Sequence, residues 1–304
     1  MRLRVIAVYL VVIAVWGTTW IAIKTSVDSI PPLTAAGLRF AIAFPLLALI
    51  VARKGAPLRY PAGHRRLLAT VTLAYFTLPY VLMNAGGRVI PSGLAAVLFA
   101  TVSIFIVALS VPLLGAAITR RQAIGVAVAL AALAALVAHQ TGVGGEAHPL
   151  GVLALLGAAG LHALVYVLLK RDAGAISPLT LNALPMGIAG VLLCAAGVVI
   201  EHPDPGAVTG ASLGALIYLG TFASVVGFLA YFHLLRRLGP VPLALVFIFF
   251  PVVAQVAAVA GGERAMRGGS LALLALVLAA SAAALTGRAP RAALRRPALA
   301  AESS

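Results

Sequence analysis

Acidic residues are scarce in this chain: 7 aspartates and glutamates against 22 lysines and arginines in 304 residues. None of the seven falls inside a long apolar run, so an intramembrane carboxylate relay has no residue to work with. Cysteine is scarcer still. Cys194 is the only one and sits in an apolar segment, which excludes an intrachain disulfide and a cysteine-built metal site and leaves the redox compartment undetermined. Charged residues make up 10% and hydrophobic residues 62%, against about 25% and 45–50% in soluble domains. The chain is therefore built for a bilayer. A net charge of +15 would suggest nucleic acid if it were gathered on one solvated face. Here the basic residues lie in short gaps between apolar runs, so no nucleic-acid partner is expected, and no cofactor.

What is present is apolar length. A spanning helix needs about 20 apolar residues, and lipid leaves only helices or closed barrels as spanning structures. Ten segments fit, all read as helices: Val5 to Lys24, Pro32 to Ala52, Leu67 to Asn84, Ser92 to Leu114, Gln122 to Ala138, Leu150 to Lys170, Pro178 to Ile200, Leu213 to Leu235, Val241 to Gly261 and Ser270 to Leu285. The first run lacks a small-x-small cleavage pattern and is longer than a signal core, so it reads as a retained span. Basic loops stay cytoplasmic. All basic residues except Lys24, Arg39, Arg88, Arg264 and Arg267 belong to gaps on the N-terminal side, and Asp28, Glu146, Glu201, Asp204 and Glu263 to the other. Both termini are expected in the cytoplasm.

The polar stretch His139 to Pro149, HQTGVGGEAHP, divides the spans five and five and reads as an external loop, with His139, Glu146 and His148 solvated. Across it the chain repeats. At an offset of 146, Pro32-Leu33-Thr34 meets Pro178-Leu179-Thr180, Lys24 meets Lys170, Trp16 meets His162 and Trp20 meets Tyr166; at 149, Arg88 meets Arg237 and Leu94-Ala95 meets Leu243-Ala244. Five is odd, so the halves are expected to be inverted, with a site between them at mid-depth. The organisation is a first unit at 1–138, the seam at 139–149, a second unit at 150–287 and a basic tail at 288–304 that serves as a topology anchor.

The stretches WGTTWIAIK from Trp16, PPLTAAGLRF from Pro31, RRQAIG from Arg120, LRRLGPVPLALVFIFFPVVA from Leu235 and GGER from Gly261 resemble the ten-helix EamA-type branch of the drug/metabolite transporter superfamily. The resemblance spans about Val5 to Gly287. It implies a secondary carrier of small metabolites, often amino acids moved outward, using alternating access without ATP in a bacterial cytoplasmic membrane, as a monomer or weak homodimer. Two departures distinguish the halves. Ala116 stands where the family has a glutamate after its fourth span, whereas the second half keeps Glu263. Ser103 replaces a proline whose counterpart, Pro251, remains.

Ionisable and polar side chains within spans are costly and usually face a bundle interior or cavity. In the first span Trp16, Thr19 and Trp20 are candidates, with an interfacial belt as the alternative, better suited to Trp20. Arg39 either grips a substrate carboxylate or caps carbonyls freed at Pro45. The resemblance places it as packing. Tyr80 and Asn84 share a face beside Pro79, which frees a carbonyl. Ser103 is weaker, since hydroxyls commonly glue membrane helices. His162 and Tyr166 match Trp16 and Trp20 through the repeat and should face them. Tyr231 and His233 in the eighth span, with Phe247 and Gln255 in the ninth, complete an aromatic wall that packing alone could also explain.

Without a buried acid this set suits zwitterions, amino acids above all, or neutral and anionic metabolites, and does not suit proton antiport of cationic drugs. Proton coupling through His162 or His233 stays open. Ala127, Ala131 and Ala135, and likewise Ala275, Ala279 and Ala283, recur every four residues, so the fifth and tenth spans are expected to approach a neighbour closely and to act as braces or a dimer contact rather than cavity walls. A membrane enzyme would need a nucleophile, base and acid or a metal cluster within reach, which the carboxylate-free spans do not supply. A scaffold would leave the buried polar residues unexplained.

Overall fold

The computed structural model describes residues 2–116, 118–141, 148–174, 176–235, 246–264, 266 and 268–286. Most of the seam, at 142–147, lies outside the described residues, as do Arg236, Arg237, Arg267, the start of the ninth span and the basic tail. Among the described residues every regular element is helical. Ten apolar helices follow one another: α1 Arg2–Val27, α2 Pro32–Arg53, α3 Arg65–Val89, α4 Ser92–Leu114, α5 Arg120–Thr141, α6 Pro149–Asp172, α7 Pro178–Glu201, α8 at 210–235, α9 Val246–Ala260 and α10 Gly269–Thr286. The first eight are long and apolar enough to cross a bilayer, and α9 and α10 are shorter apolar helices. The chain is a multi-pass all-α membrane protein.

The helices outrun the apolar segments that announce them. The first begins at Arg2 and ends at Val27, and the third continues past Asn84 to Val89, taking Arg88 into its last turn. Hydropathy marks only the stretch that must sit in hydrocarbon, whereas the hydrogen-bond ladder runs on until something stops it. Pro91 stops α3: Ile90 before it is extended, at φ −115° and ψ 136°.

Packing pairs α2 with α7, α4 with α9 and α5 with α10, while α1 lies against α8 and α9 as α6 lies against α3 and α4. Exchanging the first five helices for the last five leaves this pattern unchanged. The fold is two five-helix sets related by an inverted repeat. The repeated Pro-Leu-Thr shows how the sets are tied. At α2, Pro32 occupies the first turn, and Glu201 at the end of α7 accepts from Leu33 N (2.8 Å), Thr34 N (2.9 Å) and Thr34 Oγ1 (2.8 Å). At α7, Thr180 N donates to Ser177 Oγ at 3.1 Å, and Thr180 Oγ1 donates to the Pro57 carbonyl just past α2 at 2.6 Å. Each triplet thus starts one helix and bonds to the far end of its partner. The proline tolerates the missing donor, and the threonine hydroxyl reaches across.

Glu263, after α9, does for α4 what Glu201 does for α2. Its Oε2 accepts from Ser92 N at 2.8 Å and its Oε1 stands 3.4 Å from Lys24 Nζ of α1. Both carboxylates therefore meet orphan amides at positive helix ends, and both lie at the same end of the bundle. That end also carries the Ser29–Thr209 bond (3.3 Å) and is called the acidic end below. The opposite end, holding Arg53, Lys54, Arg65, Arg66, Lys170 and Arg171, is the basic end. Close approach of α2 to α7 depends on Gly37, where a Cβ would fall 2.5 Å from Cys194 N.

Helices α5 and α10 do pack together, but not through the alanines spaced at four. Ala127, Ala131, Ala135, Ala275 and Ala279 are exposed on the outer face. The contact runs through Gly125, where a Cβ would lie 2.8 Å from Ala284 N and 3.0 Å from Ala280 O, and Ala129 clusters with Ala280. The two helices brace each other as expected, but nearly every turn of them offers alanine, so spacing alone did not select the packed face. His139 is likewise not a loop residue: it ends α5, and its Nδ1 pairs with Ser270 Oγ of α10 at 3.0 Å.

The capping carboxylate sets an expected outcome. Glu201→Ala should lower unfolding stability by about 1–2 kcal/mol, since it strips two amides and a hydroxyl of their acceptor. Glu201→Gln should lose less, because it keeps one acceptor oxygen. Thermal unfolding of purified protein in detergent measures both.

Candidate functional site

Mid-depth between the two sets lies a cavity of about 530 Å³, its opening to solvent included. Seven helices wall it: Trp16, Thr19 and Trp20 of α1, Arg39 of α2, Tyr75, Tyr80 and Met83 of α3, Phe99 of α4, His162 and Tyr166 of α6, Ala223 and Phe228 of α8, and Phe247 and Phe250 of α9. Helices α5, α7 and α10 contribute nothing. None of the lining residues is acidic.

Two helices bend to make this wall. In α3, residues Thr72–Thr77 form a π-helical segment in which Thr77 Oγ1 reaches the Thr72 carbonyl at 2.8 Å and Leu78 N bonds back to Leu73 O. Pro79 favours the wider turn, because it lacks a ladder donor and its ring crowds the carbonyl of residue 75. In α8 the π-helical segment is Leu219–Val226, the same place in the repeat at an offset of 149. There, Gly227 lets the helix meet the Trp16 indole; a Cβ would lie 2.6 Å from Trp16 Nε1. π-Helical turns recur at functional sites because they turn side chains that a regular helix would face elsewhere. Here they bring Tyr75 to the cavity and Ser224 to Arg39.

Trp16 and His162 occupy matching cages. Trp16 lies 5.0 Å from Tyr231, 5.9 Å from Phe228 and 5.9 Å from Phe247, all from α8 and α9. His162 lies 4.5 Å from Tyr75, 5.9 Å from Tyr80 and 5.0 Å from Phe99, all from α3 and α4. The repeat thus places one ring of each set among aromatics from the third and fourth helices of the other set. His162 Nδ1 is 3.0 Å from the Ala158 carbonyl. A carbonyl can only accept, so Nδ1 carries the hydrogen and the neutral ring's remaining nitrogen, Nε2, is an acceptor. Tyr75 donates its hydroxyl to Tyr166 at 2.9 Å, which leaves the Tyr166 hydrogen available as a donor.

Arg39 is the single charged side chain of the lining. It is 4% exposed, its Nε donates to Ser224 Oγ at 2.9 Å, and its Cζ lies 4.9 Å from the centre of the Tyr80 ring.

Of the residues anticipated from sequence, Trp16, Thr19, Trp20, Arg39, Tyr80, His162, Tyr166 and Phe247 converge on the cavity. Trp20 is not an interfacial belt residue: it is 3% exposed and packs on Phe99 at 5.2 Å. Tyr231 stands one layer back, supporting Trp16. Four others are elsewhere. Asn84 Nδ2 donates to the Pro32 carbonyl at 3.1 Å, one turn beyond Tyr80. Ser103 Oγ bonds its own helix at Ala100 O, 2.9 Å. Gln255 Nε2 turns to Met266 Sδ at 3.1 Å. His233 is exposed near the end of α8. The first three are polar side chains satisfied by a neighbouring carbonyl or sulfur rather than by a ligand. Met83, Phe99, Ala223 and Phe228 escaped notice because single apolar residues in an apolar helix carry no signal, whereas Pro79 beside Tyr75 was a usable one.

The sequence profile of a family described as EamA-like transporter family matches residues 3–138 and 149–288. Protein PagO of Salmonella typhimurium is 34% identical over 253 residues, covering 83% of each chain. A protein of Escherichia coli K12 named a probable amino-acid metabolite efflux pump is 27% identical over 260 residues, 82% of this chain and 84% of its own. A solved crystal structure, 18% identical, aligns with a TM-score of 0.66 over 93% of this chain and 97% of its own, a likeness of fold.

Trp16 and Trp20 are the chain's two tryptophans, so its tryptophan emission comes from the cavity wall. Gly227→Leu, pressing on the Trp16 indole, should shift the emission maximum of the folded protein. Gly160→Ala, whose added Cβ meets open space, should not. An unshifted Gly227→Leu spectrum would contradict this placement of α8 against α1.

Proposed function

The chain belongs to the EamA-like transporter family, and from that premise we propose that it carries amino acids or closely similar metabolites across the cytoplasmic membrane. The carrier works by alternating access without ATP and in the export direction. One observation supports this reading above the others: the cavity gathers residues of both five-helix sets around one guanidinium, one imidazole acceptor and many aromatic faces, with no acid among its lining. A zwitterion finds in it a cation for its carboxylate, and an acceptor and ring faces for its ammonium group. The probable efflux pump among the relatives is named for amino-acid metabolites, which agrees.

The carrier unit is read as residues 1–138 and 150–287 joined by the short seam, with the basic end and both termini in the cytoplasm because lysine and arginine resist translocation. Such halves can rock about a site near the midplane. The ties described at the helix ends are the contacts such rocking would have to break and remake: Glu201 to α2 and Glu263 to α4 at the acidic end, Thr180 to Pro57 at the basic end. Transport is read as facilitated movement or exchange, since no carboxylate lines the cavity, and His162 is the one histidine of the lining through which protons could be coupled.

Counterflow in proteoliposomes, screened with the twenty amino acids, should find at least one that exchanges. On that substrate His162→Ala and Tyr80→Phe should each reduce flux roughly tenfold, equivalent to about 1.4 kcal/mol. Wild-type flux in both would remove them from the site. Uphill accumulation driven by a pH gradient alone would replace facilitated movement with proton coupling.

A further inference from the structure

Arg39 is incompletely partnered. Its Nε is held by Ser224 Oγ, and the ring of Tyr80 lies under its Cζ, but its Nη1 is buried without a hydrogen-bond partner. Among the described residues it has no ion-pair partner; the pairs found are Lys24–Glu263 and Arg171–Asp172, at opposite ends of the bundle. A buried donor on a charged group costs more to leave unmade than a neutral one, and an unanswered guanidinium at mid-depth in a membrane is among the costliest side-chain placements. Packing does not account for it. An ordinary structural arginine would be given a carboxylate or carbonyls, and the carbonyl-capping role near Pro45 leaves Nη1 unsatisfied.

The surroundings fix the guanidinium and leave it a ligand's place. Ser224 is in the π-helical segment of α8 and Tyr80 in the stretch of α3 following its own, so the two distorted helices grip the group from two sides. The π-face of Tyr80 attracts the cation without using up its N–H donors, and Ser224 occupies only Nε. A planar, held guanidinium with a free N–H is preorganised for a carboxylate oxygen. Resting on the amino-acid reading above, we propose that Arg39 docks the carboxylate of the transported molecule, so that a carboxylate is the required feature of the cargo and the ammonium group a dispensable one.

The test uses the purified full chain in detergent, read by the tryptophan emission of the cavity wall and by thermal stabilisation. Four probes share one side chain: L-leucine, 4-methylpentanoate lacking the amine, L-leucinamide and 3-methylbutylamine lacking the carboxylate. L-Leucine and 4-methylpentanoate should bind at least about tenfold more tightly than the amide and the amine. Arg39→Gln should weaken the two carboxylates about ten- to a hundredfold while leaving the amide within about twofold, a loss of discrimination that a merely structural role would not produce. Arg39→Lys should fall between, keeping charge without the fork. Should Arg39→Gln not fold, the wild-type series decides alone. Binding of 4-methylpentanoate without L-leucine would keep the carboxylate dock and remove the amino-acid reading. Equal binding of L-leucine and L-leucinamide would overturn the dock and leave that reading standing. No binding by either carboxylate, with none of the other nineteen amino acids bound either, overturns both.

Discussion

A bilayer offers no water to a polar group, so each one placed at depth must be answered by the protein or by what it carries. Most of this fold can be followed from that constraint. The first amides of α2 and α4 are met by Glu201 and Glu263. Those of α7 are met by Ser177. Within the spans the hydroxyls of Thr19, Thr101, Ser103 and Ser281 bond back to their own helices. Among the described residues Thr72 Oγ1, Ser92 Oγ, Glu263 Oε1 and Arg39 Nη1 are buried without a hydrogen-bond partner, and of these four residues Arg39 alone lines the cavity.

The same constraint joins the halves. Glycines at Gly37 and Gly125 bring backbones together, which is how membrane helices gain contact without a hydrophobic driving force between them. The polar ties sit at the ends, where one half's helix start meets the other half's helix stop. The ends differ in chemistry. The acidic end is tied by carboxylates and the Lys24–Glu263 pair, while the basic end uses the hydroxyls of Ser177 and Thr180. The two halves are equivalent in packing but not in how the starts of α2 and α7 are held.

Much of this was legible in the sequence, and what was not has identifiable causes. Ten apolar runs, the five-and-five division and the Pro-Leu-Thr repeat announced the helices and the inversion of the halves. Trp16 with His162 and Trp20 with Tyr166 pointed to the cavity, because the repeat constrains positions that composition cannot. Asn84, Ser103, Gln255 and His233 were assigned to it because a polar residue in a span suggests a cavity, yet a neighbouring carbonyl or sulfur satisfies the first three equally well. The π-helical segments, and with them the Arg39–Ser224 bond, were hidden, since register within a helix is settled by neighbours rather than by the run itself. The exposed alanine stripes show the limit of spacing in a helix where small residues are everywhere.

The central claim is that this cavity is the transport site and opens alternately to the two sides. Ala223 lines it, and Cys194 is the chain's one cysteine, so Ala223→Cys in a Cys194→Ser background reports on the cavity alone. Labelling with a membrane-impermeant thiol reagent in right-side-out and in inside-out vesicles, with and without a saturating transported amino acid, measures access from each face. The account predicts labelling from both faces and slowing of both by the amino acid. Labelling from one face alone under every condition, or labelling indifferent to the amino acid, would contradict it.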